Sequence, residues 1–530
     1  MAEDPHTRIA DPETAGSANG ATAEAPAISP VPPASPTPDV TAALVRWMQY
    51  DLTRPFAFMA LAALYVLSRA PLLDNGYGTK PDAWRIALSG YWLWDHGQFY
   101  PSRLPGYPIP ELSYAAVFKG GWVATNSLTV LVSLVGVWFF AGIVRRLRLP
   151  NPALLTVGFA FTPLLWINSM NTMDYTWALT FILGSYYFLL RDDDLAAGIM
   201  LGLAIGSRIP SAAMVVPFVV HMWRSGKRDE IRTYIVATVS VALLAFSPVI
   251  WRYGPSFFNF YDAKIYYTDV IRLLAKDSLG LAGSAALAIA VIVSLPRLRQ
   301  LPTDFLHDKD VMTWVIAIVF VGFTFARLPH EAAYLIPLFP FAYLLAGKYF
   351  QRWALAGAIA VILLAGFVDF TTTNHEVSAS SIRHLRVGEG MLLSNRDTQN
   401  SQRGFTQDIE NLKVPDNSLV IVGFVYPQFA VSNRDRLELG ILEKDKAAIS
   451  QLSDKGKAVD AAHNITYVWL LNWDDFNHYR QTVQHIYYTI DADRSTEALY
   501  GYRPGEFPET TVMDFGRTPS GEPDTNSTQR

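Results

Sequence analysis

A chain of 530 residues exceeds the usual size of a single domain, so at least two structural units are expected. Hydrophobic residues make up 51% of it and charged residues 17%, with a formal net charge of -4; this leaves no basic surface for nucleic acid, and the clustering of the apolar residues points to a membrane protein. With no cysteine there is no disulfide, thiolate metal site or cysteine nucleophile, so any part outside the membrane is held by packing alone.

Residues 1–41 are dominated by Ala, Pro, Ser, Thr and acidic side chains without apolar periodicity, and read as a disordered cytoplasmic tail. No basic patch followed by an apolar core precedes the first hydrophobic run, which starts after Arg54 and is expected to be a retained helix, not a signal peptide. A crossing needs about 20 apolar residues, and such runs occur at Pro55–Leu73, Trp122–Val144, Tyr234–Ile250, Leu279–Leu295, Val311–Phe325 and Ala354–Phe367. Shorter ones form pairs: Leu154–Ile167 and Thr176–Leu190 flank a polar turn, and Leu195–Ser207 and Ser211–Trp223 flank Arg208-Ile209-Pro210, where a proline and a charge interrupt a longer stretch.

Lys and Arg near the helix ends, from Arg46 and Arg54 through Arg145, Arg224, Lys227, Arg297 and Lys348, fall on one side, which is then cytoplasmic. The expected fold is a polytopic, mainly α bundle of about eleven crossings over residues 42–370. The loops 74–121, 168–175, 208–210, 251–278 and 327–331 lie on its outer face. From 371 to 517 charged residues return, and β-rich runs such as Ser418–Val425 and Ile465–Leu471 alternate with helix-compatible stretches, which predicts a soluble α/β domain, also outside. Residues 518–530 read as a second tail.

The first outer loop, Asp74 to about Gly121, is long and mixes acidic, basic and aromatic residues. Within it Pro81–Trp94 places Ala83, Ile86, Ala87, Gly90 and Trp94 on one side, as in an amphipathic helix lying at the interface, with Asp82 in its first turn. Asp95 and His96 are read as closing that helix before Gly97.

One crossing, a long acidic outer loop, and then Arg103-Leu104-Pro105-Gly106-Tyr107-Pro108 resemble the GT-C glycosyltransferase superfamily, of the protein mannosyltransferase or aminoarabinose transferase type. Three later segments resemble it in order: Met170–Arg191, with Asp174 in a short outer turn; Gly202–Val216, with Arg208 at the break; and Ala326–Phe341, carrying Arg327, Glu331 and Tyr334. The resemblance implies an inverting enzyme that moves a hexose or pentose from a polyprenyl-phosphate donor to a lipid, glycan or protein acceptor at the outer face of a cell or inner membrane. It implies Asp82 as the base, with Asp74 and then Asp174 as alternatives. It also implies Arg103, Tyr107, Asp174, Arg208, Arg327, Glu331 and Tyr334 around the substrates. Asp74 and Asp82 are separated by NGYGTKP and form no adjacent acidic pair, so no metal ligand is assigned, although a divalent metal stays open as a cofactor.

Other readings stand beside it. The acids and arginines also suit helix-end and salt-bridge roles, and the aromatic residues an interfacial belt. A multi-spanning transporter or lipid flippase would also use a broken helix with buried arginines, but the halves show no internal repeat. A third reading is a scaffold that presents residues 371–530.

Overall fold

The computed structural model describes residues 40–74, 76–254, 268–375, 382–442 and 456–516; the predicted tails 1–41 and 518–530 lie outside them except for Val40 and Thr41, which begin the helix Val40–Met48. The chain divides into two compact units, Met1–Val45 and Arg46–Arg530. The second holds every element from Pro55 onward.

It is mainly helical, with a C-terminal sheet. Among the described residues five helices are long and apolar enough to cross a membrane: Pro55–Leu72, the helical stretch Pro108–Arg146, Glu230–Tyr253, Leu281–Leu298 and Lys309–Arg327. Pro152–Phe161, Asp194–Ser207 and Arg352–Ala365 are shorter apolar helices. The predicted run Leu154–Ile167 is divided into Pro152–Phe161 and Pro163–Asn168. The cause is Pro163, which lacks an N–H and drives Thr162 out of helical conformation, to ψ 126. At the other predicted break Arg208 is extended, φ -163 and ψ 112, between Asp194–Ser207 and the 3-10 turn Ile209–Met214.

The loop helix runs Pro81–His96 and ends on Gly97, which takes the left-handed φ of +66. Its predicted one-sided burial is corrected. Ala83, Ile86, Ala87 and Gly90 are buried as expected, but so are Trp84, Leu88, Ser89 and Trp92, while Trp94 of the predicted face is exposed. The helix packs against Pro108–Val117 and against the C-terminal helix Tyr426–Ser432, so protein covers more than one of its sides.

Beyond Arg352–Ala365 the chain forms a ribbon of β1 (Val368–His375) antiparallel to β2 (Ile382–Glu389), then the roof helix Met391–Asn411. A six-stranded sheet follows in the order β4-β5-β6-β3-β7-β8, where β3 is Ser418–Ile421, β4 Glu438–Ile441, β5 Gly456–Asp460, β6 Ile465–Val468, β7 His485–Thr489 and β8 Thr510–Met513. β3 pairs in parallel with β6 and β7, and β7 with β8, while β4, β5 and β6 pair antiparallel. The central strand β3 is buried throughout, as a strand covered on both faces must be. Leu419, Ile421, Phe429, Tyr467 and Phe476 belong to a second core, separate from the one inside the bundle.

Candidate functional site

Four loops predicted to share a face meet at one end of the bundle. The turn of residues 103–106, closed by Gly106 N–H donating to the Arg103 carbonyl at 2.7 Å, requires the φ of +91 that Gly106 adopts. Buried Glu111 fixes this turn by accepting from the Ser102 and Tyr107 amides at 2.8 and 3.2 Å. A second tie joins the first loop to the turn before Asp174: Thr172 N–H donates to the Tyr77 carbonyl at 2.8 Å.

Asp174 occupies the N-cap position of Tyr175–Leu189, yet its side chain caps nothing. Its carboxylate is fully buried and is shared by two guanidiniums, Arg208 at 2.5 Å and Arg103 at 3.5 Å. Arg103 also reaches Asp82 at 3.3 Å, and Asp82 accepts from Arg85 at 3.1 Å. Arg208 is sandwiched between the rings of Tyr175 and Tyr334, 4.4 and 4.6 Å away, and Arg103 lies over Tyr107 at 4.2 Å. Glu331 accepts from the Tyr175 hydroxyl at 2.7 Å and faces Lys80 at 3.9 Å.

Seven residues singled out by sequence therefore form one network: Asp82, Arg103, Tyr107, Asp174, Arg208, Glu331 and Tyr334. Two do not join it. Asp74 accepts from the Trp122 indole at 2.9 Å in an exposed position, and Arg327 is exposed, without an ion-pair partner among the described residues. Lys80, Arg85 and Tyr175 belong to the network but were not anticipated. Arg85 follows Asp82 by three residues on one helix, a spacing that could have signalled the pair.

The directly ion-paired groups comprise four cations, Lys80, Arg85, Arg103 and Arg208, against three carboxylates, Asp82, Asp174 and Glu331. Burial pushes the Asp82 carboxyl up, but Arg103 and Arg85 outweigh it and hold it below the usual carboxylate range. Burial likewise opposes the charge on Arg103, and Asp82, Tyr107 and Asp174 more than restore it. Arg103 Nη1 is buried and has no hydrogen-bond partner among the described residues. Guanidiniums already engage both central carboxylates, with Arg103 between them. That donor set does not fit a cation, and no group of three potential ligands occurs among the described residues. The network is instead built to keep one carboxylate charged beside guanidiniums able to receive an anion.

A cavity of about 560 Å³ adjoins the network. Its wall includes both chain neighbours of Asp82, Pro81 and Ala83, together with Tyr175, Glu331 and the roof helix.

No protein-family model and no curated protein matches the sequence. Among solved structures, ArnT from Cupriavidus metallidurans in the apo state is similar at 14% identity and a TM-score of 0.40, over 55% of this chain and 58% of that one. The same protein bound to undecaprenyl phosphate is similar at 17% identity and a TM-score of 0.40, over 56% and 60%. The matched part thus spans less than two thirds of those chains.

Proposed function

We propose that the chain is a membrane glycosyltransferase of GT-C type that moves a sugar from a polyprenyl-phosphate donor to an acceptor hydroxyl, with inversion. The observation that carries this reading is the pairing of a charged, partly exposed carboxylate, Asp82, with two guanidiniums beside bundle helices. Asp82 keeps 22% of its side chain exposed, while Arg103 and Arg208 keep 12% and 13%. Arg327 and Asp74, which stand apart, are not needed for it.

In this reading Asp82 accepts the proton of the acceptor hydroxyl as that oxygen attacks the anomeric carbon. The bond from the anomeric carbon to the phosphate oxygen breaks, and the polyprenyl phosphate leaves with the electron pair. Arg103, through its free Nη1, and Arg208, held flat between two tyrosines, take up the charge that develops on the phosphate. Asp174 positions both guanidiniums and touches neither substrate.

The bundle makes about eleven crossings in this proposal, with residue 1 in the cytoplasm and the sheet outside. Membranes containing the chain, given a polyprenyl phosphate carrying a radiolabelled hexose or pentose, are expected to transfer label to an endogenous acceptor. Vectorial movement of donor across the vesicle without transfer, for every donor tried, would instead mark a flippase.

A further inference from the structure

The cavity next to Asp82 has an amide-rich wall that the ion-pair network does not use. Asn171, in the turn before Asp174, is 6% exposed, lines this cavity, and its carboxamide has no hydrogen-bond partner among the described residues. A carboxamide that faces a polar cavity with neither its donor nor its acceptor claimed by the protein marks a place for a ligand that both donates and accepts.

The roof helix supplies the facing wall. Ser394, Asn395, Thr398 and Gln402 lie along one face and all line the cavity. Asn395 Nδ2 donates to Thr79 Oγ1 at 3.1 Å and Gln402 Nε2 to the Thr79 carbonyl at 2.8 Å. Those bonds clamp the roof over the first loop. The remaining donor and acceptor capacity of both amides is left for the cavity.

Most of the charges in the wall are matched internally, and the other two, Lys276 and Glu389, are of opposite sign and form no ion pair among the described residues. Lys80 faces Glu331, Arg272 is 3.3 Å from Asp277, and the Asp369 carboxylate accepts from the Leu281 and Ala282 amides. Arg103 and Arg208 do not line this space. The phosphate-gripping groups and the amide wall are therefore separate.

We propose that the cavity beneath Met391–Asn411 is the acceptor subsite, and that it takes a neutral polyhydroxylated saccharide read by Asn171 and by the roof helix. The word acceptor rests on the transferase reading; the saccharide rests on the cavity alone.

The test uses the full chain in phosphatidylcholine nanodiscs, titrated with free lactose, maltose and cellobiose and read by saturation-transfer NMR. At least one disaccharide is expected to bind. Asn171→Ala and Thr398→Leu should each weaken it about 10-fold, the worth of one or two hydrogen bonds, with the melting temperature unchanged. A polyprenyl-phosphate hexose should leave it bound. No binding of any disaccharide, or binding unaltered in both variants, overturns the proposal. Displacement by the polyprenyl-phosphate hexose but not by sugar-free polyprenyl phosphate gives the cavity to the donor sugar and also overturns it. Saccharide binding that persists while the membrane transfer assay stays negative for every donor supports the sugar site and removes the transferase reading.

Discussion

At the scale of single residues the decisive fact is how Asp82 stays charged. A general base must be ionised at working pH, and a free Asp titrates near 3.9. Burial would raise that value, but Arg103 and Arg85 lower it further than burial raises it. Activity that depends on ionised Asp82 is thus expected to be flat through neutral pH, with its acid limb below the ordinary carboxylate range. Asp82→Asn should reduce turnover by about 10²–10⁴-fold while leaving donor binding intact. Wild-type transfer by that variant would falsify the assignment. Arg208→Lys keeps the charge but loses both the planar fork and the stacking between Tyr175 and Tyr334, so donor affinity should fall about 10-fold with normal expression. A filter-binding titration with labelled donor measures it. Far from the site, burial pushes the Asp491 carboxyl up to about 6, against the Phe424 amide that donates to it at 2.7 Å. Between about 3.8 and 6 the unfolded chain ionises this group while the folded chain retains the proton, so its contribution to stability declines as pH rises through that window and is constant above it. Asp491→Asn should therefore stabilise the sheet at pH 7.5 by on the order of 1–2 kcal/mol, and not at pH 3.5. Thermal unfolding at the two pH values checks the sign; an equal gain at both would contradict it.

At the scale of elements the junction between bundle and roof is the most constrained. Gly390 N–H donates to the Phe367 carbonyl at 2.9 Å, and Leu392 N–H to the Gly366 carbonyl at 2.8 Å. A Cβ on Gly390 would lie 2.4 Å from the Ala365 oxygen and 2.5 Å from the Gly366 carbonyl carbon. These are backbone atoms that no rotamer change can move. Gly390→Ala is expected to cost about 3 kcal/mol or more and to loosen the roof helix. Limited proteolysis should then cut within 391–411, and an unchanged digestion pattern would refute the expectation. The loop helix shows why such packing escapes a sequence reading. Its apolar face was legible from the spacing of Ala83, Ile86, Ala87 and Gly90. That its other sides are also covered depends on how the loop folds back, with Trp84 against Tyr77 and Trp122 and Trp92 against Tyr100, and on Tyr426–Ser432, which arrives more than 300 residues later and also packs on the helix.

For the whole molecule, sidedness can be tested directly. Residues 80, 103, 174, 208 and 331 are joined at one end of the bundle, whereas Arg145 with Asp51, Lys227 with Asp194, and Lys348 with Asp308 are joined among the segments assigned to the other face. A phosphatase fused after Arg530 should be active outside the cell; a fluorescent protein that glows there instead would shift the crossing count by one. Membrane class, the helical runs, their breaks at proline and at Arg208, and the β-rich C-terminal part were written in local composition and periodicity, because hydrophobic length and backbone restriction act within a few turns of chain. The candidate site was half legible. Its acids and arginines stood out as charges next to apolar runs, where an unmatched charge is costly, but sequence could not separate the seven that meet from Asp74 and Arg327, which do not. Nor could it single out Asn171, an ordinary polar residue in a turn, or the amide face of Met391–Asn411. Those assignments depend on which segments lie against each other across hundreds of residues, and only the packing of the bundle against the roof brings Thr79, Asn171 and Gln402 around one cavity.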